Sequence, residues 1–120
     1  MAKKHTLTEV ERKKLERERA QTLTKLERLR EYLKTEPERT GDEVDLDVYE
    51  REKNLALVRR LSQKVVEIDT ALQNAKKGTY GICERCGNPI APERLQALPE
   101  TTLCVKCKNE IEKEIRRAAL

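Results

Sequence analysis

The sequence predicts a mainly α protein: a long antiparallel helical hairpin of the coiled-coil kind, followed by a small four-cysteine metal module and a short C-terminal helix. Three observations carry that expectation. Glycine and proline are absent before Pro37 and again between Gly41 and Gly78, which leaves two long uninterrupted blocks. Apolar residues inside those blocks recur at spacings of three and four, the period of a helix seam. Beyond the blocks, four cysteines stand in two close pairs.

The first block runs from about Leu7 to Thr35. It opens on two overlapping capping-box candidates, Thr6 with Glu9 and Thr8 with Glu11, in which a hydroxyl accepts from an orphan amide. Its stripe is Leu15, Leu23, Leu26, Leu29 and Leu33, thinning at Arg19 and Ala20. The second block, about Asp45 to Lys77, has the cleaner pattern: Leu55, Val58, Leu61, Val65, Ile68, Leu72 and Ala75. Lys76 and Lys77 suit the negative end of its dipole, and Gly78 supplies the left-handed position that ends it. Between the blocks, Glu36 to Gly41 is short enough to turn the second helix back on the first. The expected division is a hairpin over 1–77 with a tip near 37–50, a four-cysteine finger over 78–108, and a C-terminal helix over 109–120.

The tip is acidic. Residues 37–50 hold six carboxylates, among them Asp42, Asp45 and Asp47, against Arg39 alone, a local net charge of −5. Two readings stand side by side: an acidic first turn stabilises the start of the second helix, with Asp42 as N-cap, or the carboxylates serve a partner.

Cys83, Cys86, Cys104 and Cys107 form C-x2-C-x17-C-x2-C. Each C-x-x-C turn can aim two sulfurs at one ion, and two such turns close a thiolate tetrahedron. All four positions are then protein ligands, so the expected metal is one structural zinc with no place for substrate. Disulfides, a redox dithiol and an iron–sulfur cluster are the alternatives. The first fits a reducing compartment badly, the second lacks a βαβ surround, and the third favours other spacings.

Composition narrows the function classes. Of 120 residues, 40% are charged and 37% hydrophobic, with three tyrosines (Tyr32, Tyr49, Tyr80) and no Phe or Trp. That is too little apolar material for a conventional enzyme core. His5 is the single histidine and Ser62 the single serine, and no glycine-rich phosphate loop is present, so no catalytic constellation can be assembled and no small-molecule substrate is expected. No run approaches ~20 apolar residues and no apolar segment follows the basic N-terminus, which predicts a cytoplasmic protein without a membrane span. The net charge is +4, and the basic residues of the first block and the tail alternate with glutamates. They read as solvated faces, and no sequence-specific DNA binding is expected.

From Gly78 to Lys108 the chain reads GTYGICERCGNPIAPERLQALPETTLCVKCK. The Gly78-x-Tyr80-Gly81 approach, the Cys83-x-x-Cys86-Gly87 knuckle, Ile90, the Arg94-Leu95-x-Ala97-x-Pro99 run and the second knuckle resemble the C4-type zinc finger of the DksA/TraR family of bacterial RNA polymerase regulators. The preceding coiled coil and the helix that follows extend the resemblance, less specifically, over the whole chain. It implies a transcription regulator whose partner is RNA polymerase itself. In the family the coiled coil enters the secondary channel and brings acidic tip residues near the catalytic magnesium. The family tip pattern is Asp-x-x-Asp-x-Ala; Asp42 and Asp45 match its aspartates, Asp47 stands where the alanine belongs, and the resemblance implies a polymerase-facing tip of Asp42, Asp45 and Asp47. A guanosine-tetraphosphate site built on further N-terminal helices is not carried over. Two other readings of the same residues are a zinc-dependent nucleic-acid-binding module and a coiled-coil adaptor.

Overall fold

The computed structural model describes residues 7–35 and 42–119, the side chains of 42–45 excepted. The expected turn over 36–41 and the Thr6 cap candidate therefore lie outside the described residues. Four helices follow in order: α1 (Glu9–Lys34), α2 (Asp42–Lys77), α3 (Pro92–Ala97) and α4 (Val105–Ala118).

Helix α1 starts where the second capping box places it. The Glu11 amide donates to Thr8 Oγ1 (3.1 Å) and the Thr8 amide to Glu11 Oε1 (3.2 Å), so each residue satisfies the other's orphan group. Its seam is Leu15, Arg19, Thr22, Leu26, Leu29 and Leu33, all buried or half-buried. The thin stretch of the sequence stripe is filled by Thr22, which is buried and returns its hydroxyl to the Glu18 carbonyl (2.7 Å).

Helix α2 begins three residues before the expected Asp45. Its covered positions include Asp47, Arg51, Asn54, Val58, Leu61, Val65, Ile68, Leu72 and Ala75, which follow one another at alternating spacings of four and three, and Ala71 is buried beside them. Leu55, assigned to the stripe from its apolar character, is 46% exposed. It flanks the seam because the alternation passes through Asn54, one residue earlier. Gly78 ends the helix at φ 78°, a backbone region that a side chain opposes, while its amide still reaches the Ala75 carbonyl (3.3 Å).

The two long helices are antiparallel. Leu7, just ahead of α1, packs on the cluster that contains Ala71 near the end of α2. At the other end, the carbonyls of Leu33 and Thr35 accept from Arg51 near the start of α2. Packing divides the chain into two compact units: one joins the start of α1 through Glu16 with everything from Glu67 onward, and the other is Arg17–Val66. The finger thus shares a core with the adjoining ends of the hairpin, namely Ala71, Tyr80, Cys83, Ile90, Leu95 and Cys107, bordered by Leu7, Ala75 and Leu103. Among the described residues no helix is long and apolar enough to cross a membrane.

Candidate metal centre

The first knuckle is a tight turn. The Gly87 amide donates to the Cys83 carbonyl (2.9 Å) and the Cys83 amide to the Asn88 carbonyl (2.8 Å). Gly87 sits at φ 77°, the left-handed geometry this turn requires. A bridge between Ile82 and Pro89 and the Ile90 amide on the Gly81 carbonyl (2.8 Å) brace it from behind.

The second knuckle is built differently. Cys104 is the N-cap of α4, its sulfur accepting from the Cys107 amide (3.5 Å), and Cys107 lies in the first turn. The helix therefore starts at Val105, four residues ahead of the expected Asn109, because the cysteine pair is itself a helix start. The knuckles are joined by the Glu84 amide on the Thr102 carbonyl (2.9 Å).

All four cysteines are free, and their sulfurs lie within 4.8 Å of one another. One ion at about 2.3 Å from four thiolates gives sulfur–sulfur edges of about 3.8 Å. The Cys86–Cys104 separation is 3.8 Å. The donor set and its spacing fit a tetrahedral zinc held by Cys83, Cys86, Cys104 and Cys107, and disulfide bonding is not what brings them together.

The thiols differ in acidity. Burial works against a Cys83 thiolate, but hydrogen bonds from the backbone of Cys104, Cys86 and Arg85 outweigh it and bring this thiol down to about 6. Burial, followed by hydrogen bonds with the other three cysteines, pushes Cys107 up to about 12.

The residues that carried the sequence resemblance turn out to be the finger's braces. Tyr80, buried, donates from its hydroxyl to the Pro99 carbonyl (2.8 Å). Burial, then Glu11 and Glu100, keep that phenol protonated, its pKa pushed up to about 12. Arg94 Nε donates to the Leu103 carbonyl (3.2 Å), and Leu95 on α3 is fully buried.

The acidic residues are distributed less evenly. Asp42 and Asp45 lie in the first turn of α2, with side chains outside the described residues. Asp47 is 8% exposed and ion-paired with Arg51, Nε to Oδ2 at 3.0 Å. Arg51 also donates from Nη1 to the Leu33 carbonyl (3.1 Å) and from Nη2 to the Thr35 carbonyl, with its guanidinium 5.8 Å from the centre of the Tyr32 ring. Apolar patterning overlooks Arg51; the four-three alternation carried back from Val58 finds it.

Two thiol knuckles, one a glycine turn and the other a helix start, sharing a core with the start of α1 and the end of α2, define a C4-type zinc-finger protein. The model of the prokaryotic dksA/traR C4-type zinc finger matches residues 78–113, and the chain belongs to the DksA/TraR family. It is 31% identical over 103 residues to the RNA polymerase-binding transcription factor DksA of Escherichia coli K12, covering 84% of this chain and 68% of that one. An uncharacterized protein of Aquifex aeolicus is 58% identical over 48 residues. This chain spans 33% of that relative's length and 26% of that of YteA of Bacillus subtilis. Among solved structures, the transcription factor DksA2 of Pseudomonas aeruginosa is similar with a TM-score of 0.67 and 30% identity, over 88% of this chain and 82% of that one.

Proposed function

We propose that this protein is a transcription regulator that binds RNA polymerase directly, entering its secondary channel with the hairpin and presenting Asp42 and Asp45 near the active-site magnesium. The observation that carries this reading is the extent of the likeness to DksA of Escherichia coli, which covers 84% of the chain and so takes in the hairpin as well as the finger. Carboxylates are the hard oxygen donors that magnesium and its waters prefer, and Asp42 and Asp45 stand together in the first turn of α2.

One zinc on Cys83, Cys86, Cys104 and Cys107 has a structural role here. It supplies cross-linking of the two knuckles, in a segment whose apolar residues are too few to order it alone. The protein's own groups prepare the site: the backbone amides around Cys83 stabilise a thiolate, and Gly87 and the start of α4 aim the remaining sulfurs.

Capture of purified core polymerase on the immobilised protein tests the reading. Retention that withstands nuclease treatment and raised salt supports a protein–protein contact. Loss on nuclease treatment would indicate a nucleic-acid-binding module, whose affinity falls steeply with salt.

A further inference from the structure

We propose that Arg51 is a positioning residue for the carboxylate-bearing start of α2, and that Asp47 serves to hold Arg51 and is not offered to a partner. The last four carbonyls of any helix lack intrahelical donors, and Leu33 is among those of α1. Arg51 satisfies the Leu33 carbonyl and that of Thr35 just beyond, while its Nε pairs with Asp47. A guanidinium has five N–H donors in one planar fork, so a single side chain can serve two carbonyls and a carboxylate together; an ammonium lacks that geometry. Its charge also complements the negative end of the α1 dipole, and the Tyr32 ring covers one face of it.

The carboxylate half of the latch is as constrained as the cationic half. Asp47 is almost wholly covered, and a covered carboxylate without a partner is strongly disfavoured, so its ion pair is its structural role. Asp42 and Asp45 lie on the same helix, within five residues of Asp47. At about 3.6 residues per turn, positions 42 and 45 fall on the side of α2 away from position 47. Fixing Asp47 against α1 therefore fixes the direction in which the other two positions face.

The part of this inference that concerns transcription rests on the proposed function; the latch itself does not. The test uses the full zinc-loaded chain with Asp47→Asn, Arg51→Met, the double variant, Arg51→Lys, and Leu26→Ala as a destabilised control outside the latch. Thermal melts form a double-variant cycle: the latch predicts that the double melts no lower than Arg51→Met alone, because Asp47→Asn removes the carboxylate that the loss of Arg51 leaves unpaired. Additive losses would overturn it. In transcription assays at saturating protein and below the melting range, the latch variants should keep polymerase capture and lose most of the effect on initiation. Arg51→Lys should recover part of that effect, and Leu26→Ala should keep it. An equal loss in Leu26→Ala, or a full effect in Arg51→Met, would reduce Arg51 to a stabilising residue and overturn the positioning role. A parent that leaves initiation unchanged would remove the proposed function, and the melting cycle would still decide the latch.

Discussion

Leu26 and Leu55 look alike in the sequence, each an apolar residue at helical spacing, and the structure separates them. Leu26 is 2% exposed, whereas Leu55 is open to solvent over nearly half its surface. Leu26→Ala should cost about 2–5 kcal/mol and lower the melting temperature by on the order of 10 °C. Leu55→Ala should cost less than about 1 kcal/mol. Equal losses in a calorimetric melt would mean that the two helices pair in another register. The difference between them shows what the sequence could carry. Thr8 and Glu11 announce the start of α1 because capping chemistry is local. Asp47, Arg51 and Asn54 do not announce themselves as seam residues, since a hydropathy stripe passes over polar side chains even where they are covered, and Arg51 is tied to the Leu33 and Thr35 carbonyls far back in the chain.

At the level of elements, the cysteine spacing points to the four sulfurs that the structure brings within 4.8 Å of one another, whereas α4 starts four residues ahead of the Asn109 that the sequence suggests. The reason is that Cys104 does two jobs, ligand and N-cap, and cysteine is not among the residues that signal a helix start. A consequence follows for the apo protein. The finger, α4 and the adjoining ends of α1 and α2 share one compact unit, so chelation should raise amide hydrogen exchange over α3, α4, 9–16 and 67–77 together. Protection over 17–34 and 42–66 should persist; its loss would mean that the metal also holds the other compact unit. The acidity of the thiols adds a pH dependence. At neutral pH Cys83, lowered to about 6, is already largely ionised, whereas Cys107, raised to about 12, keeps its proton until a metal displaces it. Zinc uptake should therefore release protons, and zinc affinity should weaken as pH falls. Calorimetry in buffers of different ionisation enthalpy counts the protons, and a count of zero at pH 7 would contradict this assignment.

At the scale of the whole molecule, the proposed function turns on Asp42 and Asp45, in the first turn of α2, acting by charge on polymerase. The most direct measurement is the effect of an Asp42→Asn, Asp45→Asn double variant on initiation by purified polymerase, beside the parent at equal occupancy. Asparagine keeps volume and helix-capping ability while two negative charges disappear. An unchanged melt, retained capture and loss of most of the transcriptional effect are expected. A variant that regulates as the parent does would contradict the charge mechanism and leave these aspartates as helix-stabilising residues.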